Sequence, residues 1–388
     1  LAPLGPFVLS DLHITAAQFG FLVSAYAFSA GLSGLLAAGF ADKFDRKYLL
    51  LFFYTGFVIG TFLCGIADSY HFLLGARIVT GLFGGVVGSI GFAIITDLFP
   101  MEVRGRVMGF VMSAFSASQV LGIPLGLYFS NHWGWRSPFW IIAGVAAVVG
   151  IAVVFRLQPL RGHLGAATEK NALRHLFRTV SRPRYLYGFA ATALLATGGF
   201  MLMPFSSAFN VHNLGVPLDK LPLVFMVTGV ASMIGGPLMG RLSDAIGKYV
   251  LFCLGSLGAI AIVLYYTRLE ITPLWLVMVI NAALFIVISA RMISASTLLS
   301  AVPEMKDRGA FMAVNSSLQQ LSGGVASLLA GAIVVQTANG RMEHYPVLGY
   351  VVVGATVITI ILMYGIHRIA AAKARAAAAG VPAPSPAT

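Results

Sequence analysis

Arg291 is the residue of this sequence with the clearest chemical potential, because it lies in a long apolar run. A guanidinium is always charged and offers five N–H donors in a planar fork, which suits an anionic or polyhydroxylic solute. Burying a lone cation in a membrane costs at least ~2.5 kcal/mol, so water, a partner or a ligand must offset that cost. The alternative is a fixed cation hydrogen-bonded to backbone carbonyls. We predict that Arg291 binds substrate.

Amide and hydroxyl side chains in other apolar runs form a second candidate group. Asn315 and Gln319 stand at i,i+4 spacing and therefore share one helix face. Gln119 and Tyr26, far earlier in the chain, could supply the facing wall. The alternative is hydrogen bonding between packed helices. We predict that these four residues and Arg291 line a hydrated substrate cavity.

Opposite charges cluster in the short polar loops between apolar runs. Pairs that form and break as a cavity changes sides can bias a two-state equilibrium, which predicts a gate at that surface. The alternative is ordinary topology anchors, each surface pair being worth only ~0–1 kcal/mol. The predicted gate residues are Asp42, Arg46, Asp97, Arg104, Asp244 and Arg308.

Groups suited to covalent or metal chemistry do not cluster in this sequence. Four histidines fall near predicted outer loops without ligand spacing, namely His71, His132, His212 and His344. Within the eleven complete predicted spans the only acidic residue is Asp97. We therefore predict no catalytic residues, no metal, no cofactor and no enzyme activity, and the proton-carrying group remains unassigned.

The composition identifies the elements that must position these side chains. The chain has 388 residues, of which 58% are hydrophobic and 10% charged, with a mean hydropathy of +0.89. Soluble domains carry about 25% charged residues, so we predict an all-α integral membrane protein. The net charge of +12 is scattered through short loops rather than gathered in one patch, which excludes a nucleic-acid binder.

Apolar runs bounded by charged or turn residues predict eleven complete transmembrane spans. They lie near 16–40, 48–66, 73–98, 107–130, 138–156, 186–211, 221–240, 249–267, 273–299, 310–336 and 347–367. The stub from Leu1 to Leu9 reaches only about 13 Å of a ~30 Å hydrocarbon core. We interpret it as the outer half of a first helix, with an N-terminal piece absent, which makes twelve helices.

Basic residues concentrate on one side of these spans, which predicts that this side and both termini are cytoplasmic. Residues 1–155 and 186–367 are the predicted six-helix bundles. Residues 156–185 are a predicted linker with an amphipathic helix, the alternative being a disordered basic segment. Residues 368–388 are a predicted disordered tail.

Corresponding features recur in the two predicted bundles. Asp42 and Asp244 lie 202 residues apart, and Arg104 and Arg308 lie 204 apart. A shared spacing indicates a duplicated six-helix unit with both copies in the same orientation. Parallel repeats of this kind are typical of alternating-access transporters, whose substrate site lies between the halves near mid-membrane.

The loop from Ala38 to Lys47 resembles the cytoplasmic loop signature of the major facilitator superfamily, and the segment from Gly240 to Lys248 resembles its second copy. Asp45 stands where that signature usually has glycine. Two further stretches are similar to its fourth-helix motif and, in part, to its fifth-helix antiporter motif: Leu73, Arg77, Thr80 and Gly81, and Ser118, Gly122, Pro124 and Gly126. The resemblance implies a coupling role for Arg77, the alternative being a side chain that snorkels to the headgroups.

The resemblance points to the bacterial drug:proton antiporter and sugar-efflux branch. It implies a monomeric secondary transporter in the bacterial inner membrane, in contact with lipids, that exports a drug-like or sugar-like solute with protons as the coupling ion. An acidic residue in the absent part of the first helix would favour proton antiport. The alternatives are an uptake permease or uniporter for an organic anion held by Arg291, and a transporter-like sensor or receptor.

Overall fold

The computed structural model describes residues 1–37, 40–100, 117–161, 181–304, 307–337 and 339–378, with short pieces at 103, 106–108, 110–111, 114 and 164. The helices are α1 (Gly5–Asp11), α2 (Ala16–Ala37), α3 (Arg46–Gly65), α4 (Tyr70–Leu98), α5 (Ile123–Trp133), α6 (Ser137–Arg156), α7 (Pro183–His212), α8 (Leu221–Ile246), α9 (Lys248–Tyr266), α10 (Leu274–Ser300), α11 (Arg308–Ile333) and α12 (Tyr345–Ala378). Short turns and one hairpin complete the described elements: a 3-10 turn (Ala2–Leu4), a second 3-10 turn (Ala41–Lys43), a π-helical turn (Ser118–Gly122), a third 3-10 turn (Leu218–Lys220), and strands β1 (Val335–Gln336) and β2 (Met342–Glu343), which pair antiparallel.

Nine of the described helices are long and apolar enough to cross a membrane. They are α2, α3, α4, α6, α7, α8, α9, α10 and α12. The bilayer core requires about 20 apolar residues, which is why hydropathy locates these helices well. α11 has 26 residues, but its amides and hydroxyls make it more polar than the nine. The predicted all-α membrane architecture is therefore confirmed, and the count of twelve spans stays a prediction.

Side-chain caps fix where two of these helices begin. Asp45 caps α3 by accepting a hydrogen bond from the Lys47 backbone N–H at 2.9 Å. Ser69 does the same for α4, accepting from the Phe72 N–H at 3.4 Å. Such caps satisfy backbone donors that have no partner inside the helix.

The predicted ends of the chain differ in part from the structure. α12 continues to Ala378, past the predicted start of a disordered tail at 368, because the segment after His367 is rich in alanine, the strongest helix former. The predicted amphipathic helix of the linker lies outside the described residues.

For description we call residues 1–161 the first half and residues 181–378 the second half. The connections α2–α3, α6–α7, α8–α9 and α10–α11 lie at one end of the molecule, which we call the basic end. The connections α1–α2, α3–α4, α5–α6, α7–α8, α9–α10 and α11–α12 lie at the other, which we call the opposite end.

The apolar core is arranged differently at these two ends. One continuous cluster at the opposite end includes Val8 and Phe19 of the first half together with Phe205 and Tyr345 of the second. At the basic end the buried residues form two clusters, one around Phe53 of the first half and one from helices of the second half, against which Leu35 of α2 packs. The halves are therefore joined by shared apolar burial at the opposite end.

Glycines bring α2 and α11 into direct contact across the two halves. A Cβ atom on Gly20 would lie 2.8 Å from the Ser327 carbonyl oxygen and 3.0 Å from Gly331 Cα. Such distances leave no room for a side chain, so glycine is required for this approach. Phe19 of α2 packs edge-on against Phe205 of α7, with ring centroids 5.8 Å apart.

Candidate functional site: a cavity at the contact of the two halves

A cavity of about 180 Å³ lies where α7, α8, α9 and α10 meet the start of the chain and the π-helical turn before α5. Apolar side chains form most of its wall. The polar and charged lining residues are Gln119, Ser206, Thr228, Tyr266, Asn281 and Arg291. Arg291 is the one charged side chain among them.

Arg291 of α10 is only 5% exposed and has no acidic partner among the described residues. Its Nη2 donates a hydrogen bond to the Thr356 hydroxyl of α12 at 3.2 Å. Its Nε is buried and makes no hydrogen bond. The guanidinium also lies 6.0 Å from the centre of the Phe252 ring. A buried charge with one neutral partner is expensive, so this site favours a negatively charged or strongly hydrogen-bonding ligand.

Two consecutive glycines of α7 form the wall that faces this guanidinium. A Cβ on Gly198 would lie 3.8 Å from Arg291 Nη1, and a Cβ on Gly199 would meet no atom within 4 Å. Both glycines line the cavity. The open space in front of the Arg291 donors therefore depends on the lack of side chains at these positions.

Gln119 reaches the cavity from the first half. It belongs to the π-helical turn, where the backbone widens, and such turns are frequent at functional sites. The Gln119 carbonyl would be 2.7 Å from a Cβ on Gly229 of α8, so glycine is required for the contact of this turn with α8. The structure thus brings Gln119 and Arg291 to one cavity.

Tyr26 is not part of this wall, because its ring is occupied by another arginine. The Arg77 guanidinium lies 4.5 Å from the centre of the Tyr26 ring, and its Nε donates to the Leu22 carbonyl at 3.5 Å. Arg77 therefore turns inward toward α2 rather than snorkelling to the headgroups. Its predicted coupling role stays a prediction.

Asn315 and Gln319 also lie outside the lining of this cavity. Asn315 accepts a hydrogen bond from the Thr192 hydroxyl of α7 at 2.5 Å, which makes it a contact between packed helices of the second half. Gln319 is half-buried on the same helix. The packing alternative thus describes Asn315 better than the predicted substrate role.

Three predicted gate residues, Arg46, Asp97 and Asp244, lie at the basic end, and the ion pairs described for them join elements of one half. Arg46 Nε lies 3.2 Å from Asp97 Oδ2 and links α3 to α4. Asp244 and Lys248 form an exposed pair at 3.2 Å across the α8–α9 turn. The side chains of three predicted gate residues lie outside the described residues: Asp42, Arg104 and Arg308.

Asp45, which departs from the loop pattern, connects α3 to the segment after α6. Its carboxylate lies 3.0 Å from Arg161 Nε and accepts the Leu160 N–H at 3.2 Å. Burial raises the pKa of Asp45, but the hydrogen bonds from Arg161, Leu160 and Lys47 outweigh it and hold that pKa below its usual value. The backbone φ of Asp45 is −58°, an angle that any residue can adopt, so this position does not require glycine.

A second polar cluster, which the sequence did not reveal, holds the start of α7 at the basic end. The Asp307 carboxylate accepts hydrogen bonds from Arg182 and, at 2.7 Å, from the Tyr185 hydroxyl. Burial lowers the pKa of Arg182, but its bond to Tyr185 and the charge of Asp307 outweigh this and raise it. This cluster joins α7 to the α10–α11 connection.

Two residues in or beside the cavity were missed from sequence, Thr356 and Asn281. Thr356, the partner of Arg291, has no feature that separates it from other threonines in apolar helices. Asn281 is a better signal, because an amide inside a predicted span is unusual. The described residues contain no cluster of three or more histidine, cysteine or acidic residues that could hold a metal ion.

Long apolar helices, tight glycine contacts between two sets of helices and a cavity where they meet define a multi-pass membrane protein of the transporter type. The sequence profile of the Major Facilitator Superfamily matches residues 1–287 and 188–387. The chain therefore belongs to this superfamily, whose members are transporters rather than enzymes.

Curated relatives are similar over part of their length. The chain is 26% identical over 259 residues to the uncharacterized MFS-type transporter YceJ of Bacillus subtilis, covering 66% of this chain and 65% of the relative. It is 27% identical over 257 residues to a chloramphenicol resistance protein of Streptomyces lividans, covering 66% and 65%. It is 26% identical over 239 residues to a probable sugar efflux transporter of Helicobacter pylori, covering 61% and 60%. The chain spans 59–65% of the length of the first three relatives it matches.

Solved structures share the fold. A point mutant of the nucleoside transporter NupG superposes with a TM-score of 0.75 at 13% identity over 94% of both chains. A bacterial homolog of the human lysosomal transporter Spinster, inward-facing and unoccupied, gives 0.69 at 17% identity over 99% of this chain and 94% of that one.

Proposed function

We propose that this protein is a secondary transporter that moves a small organic solute by alternating access. The observation that carries the proposal is the difference between its ends: one buried apolar core joins the halves at the opposite end, whereas the buried core residues at the basic end form one cluster per half, with Leu35 of α2 packed against that of the second half. The cavity is lined by residues of both halves. We interpret this arrangement as the state closed at the opposite end, one of the two states that alternating access requires.

The proposed direction is efflux across a bacterial cytoplasmic membrane, with the basic end on the cytoplasmic side. The excess of lysine and arginine at that end supports this orientation. Relatives named for chloramphenicol resistance and sugar efflux support export of a small organic solute. The moving units are the predicted bundles at 1–155 and 186–367, acting within a single monomer.

The proposed coupling ion is the proton. The resemblance of the α4 motif supports a coupling role for Arg77, and its packing on Tyr26 connects α4 with α2. Asp42, Arg104 and Arg308 are proposed gate residues at the basic end. The Arg46–Asp97 pair is formed in the present state, so its proposed contribution is to hold α3 and α4 together while further contacts change.

Cavity accessibility tests alternating access without a known substrate. Ser206 lines the cavity, and Asn131 of α5 donates to the Leu218 carbonyl at 3.0 Å across the opposite end. In a variant with Cys64 and Cys253 replaced by serine, Ser206→Cys should react with an impermeant thiol reagent from either side. Adding Asn131→Cys and Leu218→Cys and a short reducible crosslinker should abolish labelling from the opposite end only.

Flux then tests direction and coupling. In proteoliposomes with an imposed pH gradient, we expect saturable movement of a small organic solute that crosslinking stops and dithiothreitol restores. Labelling from one side only, unchanged by crosslinking, would contradict alternating access. Flux that does not change with the pH gradient would contradict proton coupling but not alternating access.

A further inference from the structure

Arg291 is the one charged side chain among the described residues that line a mostly apolar cavity, and we propose that the transported solute is a small organic monoanion. Its carboxylate binds the Arg291 guanidinium, and its compact apolar body fills the space beside Leu284 and Ile288. This substrate class rests on the proposed function, because it assigns the solute that the alternating cavity carries.

The Arg291 guanidinium has N–H donors that make no hydrogen bond within the described part of the chain. Thr356 takes one hydrogen bond from Nη2, while Nε is buried with no partner in the described part of the chain. The Nε and Nη2 groups lie on one edge of the planar fork, and such an edge matches the two oxygens of a carboxylate. Because Nε is covered in this state, the carboxylate binds at the Nη1 and Nη2 end of the fork, where Gly198 leaves space beside Nη1.

Four of the other polar lining side chains already donate a hydrogen bond within the protein: Ser206, Thr228, Tyr266 and Asn281. This leaves the Gln119 amide as the further polar group of the lining. The Tyr266 hydroxyl donates to Asn210 Oδ1 at 2.8 Å, and the Asn281 amide donates to the Val277 carbonyl at 2.9 Å. A sugar needs many partners for its hydroxyls and would leave most of them unsatisfied here. A solute with one charged group and an apolar remainder needs only the Arg291 guanidinium for its own polar atoms.

Cavity size limits the apolar body. The cavity volume of about 180 Å³ is below the ~300–1,000 Å³ of ordinary ligand pockets. Gly198 and Gly199 keep the space in front of the guanidinium open. One aromatic ring with a small alkyl group fits this space better than a long acyl chain.

Matched probes test the charge requirement. We would measure binding to the purified full-length protein in nonionic detergent by thermal shift with 4-tert-butylbenzoate, the corresponding benzamide and the corresponding benzylamine. The benzoate should bind at least tenfold more tightly than the amide, and the amine should not bind. Equal affinity for benzoate and amide would overturn the proposal.

Variants assign the effect to Arg291. Arg291→Gln should remove the preference for benzoate over amide, and Arg291→Lys should keep part of it because the charge remains. Arg268→Gln is the matched control, since Arg268 is an exposed arginine at the opposite end that donates to the Tyr350 hydroxyl. Survival of the full preference in Arg291→Gln would overturn the proposal.

A second site keeps the test decisive if Arg291 variants do not fold. Gly199→Val places a side chain into open space and should weaken 4-tert-butylbenzoate binding at least tenfold, with a smaller effect on benzoate. Gly144→Val is the control, because Gly144 is exposed on α6 and its added Cβ also meets nothing within 4 Å. No change in Gly199→Val would overturn the placement.

Dodecanoate separates a soluble organic acid from a lipid-derived one. We expect dodecanoate to bind more weakly than 4-tert-butylbenzoate, and the reverse order would overturn the compact-body assignment. Binding needs no turnover, so it is independent of the accessibility test. If the protein prefers the anion but its cavity is not labelled alternately from the two sides, the transporter proposal is refuted and the substrate class is not. If the cavity is labelled alternately but the protein does not prefer the anion, the substrate class is refuted and the transporter proposal is not.

Discussion

The opposite end and the basic end of this protein hold their helices together in different ways. At the opposite end a single apolar cluster runs from Val8 and Phe19 into Phe205 and Tyr345, across both halves. At the basic end the buried apolar residues form one cluster per half, with Leu35 of α2 packing across onto that of the second half, and polar ties such as the Arg46–Asp97 ion pair lie within one half.

The difference indicates which contacts have to change during transport. Apolar burial between halves stabilises closure in proportion to its area, and it is lost when the end opens. Ties inside one half can persist in both states, because neither partner moves relative to the other. Changes at the opposite end should therefore alter transport, whereas changes to the ties should alter stability.

The largest expected effect is Gly20→Val at the opposite end. Its Cβ would lie 2.8 Å from the Ser327 carbonyl and 3.0 Å from Gly331 Cα, so α2 and α11 cannot approach. We expect at least a tenfold loss of flux and a cavity labelled from the opposite end. Gly75→Val is the control, since a Cβ there meets nothing within 4 Å at a similar depth of α4.

Gly20→Val with flux like Gly75→Val would show that closure does not depend on the α2–α11 contact. Loss of both flux and folded protein would show that the protein needs the α2–α11 contact to fold, and not only to close the opposite end. Size-exclusion profiles of the two variants separate these results.

Tyr185→Phe should lower stability without changing the accessible side. It removes the hydroxyl that donates to Asp307 at 2.7 Å and accepts the Glu304 N–H at 3.2 Å. Hydrogen bonds to charged groups contribute about 1.5–3 kcal/mol, which is the expected loss in free energy of unfolding. Thermal unfolding measures it, with Tyr187→Phe as an exposed control. If Tyr185→Phe changed the side from which Ser206→Cys is labelled, the Tyr185–Asp307 contact would belong to the gate.

The smallest expected effect is at Asp45, and it depends on pH. Because the folded pKa is held below the unfolded value of about 3.9, its stabilisation is full above that pH and falls as the pH drops through the folded value. Asn can also cap a helix, so Asp45→Asn mainly removes the charge that pairs with the exposed Arg161; it should cost up to ~1 kcal/mol at pH 7 and flatten the acid dependence of the melting temperature. The exposed Asp68→Asn is the control, and equal pH curves for the two variants would contradict the role of Asp45.

The helices were predictable because the bilayer fixes their length and apolar composition. The predicted span at 273–299 corresponds to Leu274–Ser300, and the span at 249–267 to Lys248–Tyr266. The end of α12 was missed, because alanine-rich sequence was interpreted as a tail although it favours helix.

The site was only partly predictable, because side-chain partners depend on helix rotation and packing. The cost of a buried charge identified Arg291, but the hydroxyl of Thr356 and the open wall at Gly199 follow from how α7, α10 and α12 meet. Tyr26 has a type that suits a substrate wall, yet Arg77 occupies its ring. Residue type indicates what a side chain can bind, and the fold decides what it does bind.

Distances across both ends of one molecule test the central claim most directly. Spin labels at Asp68 and Ile271 would report the opposite end, and labels at Lys43 and Ala245 the basic end, all four positions being exposed. Alternating access predicts two populations at each end, with a pH gradient or added solute lengthening one distance as the other shortens. A single distance at both ends that neither treatment changes would contradict the account.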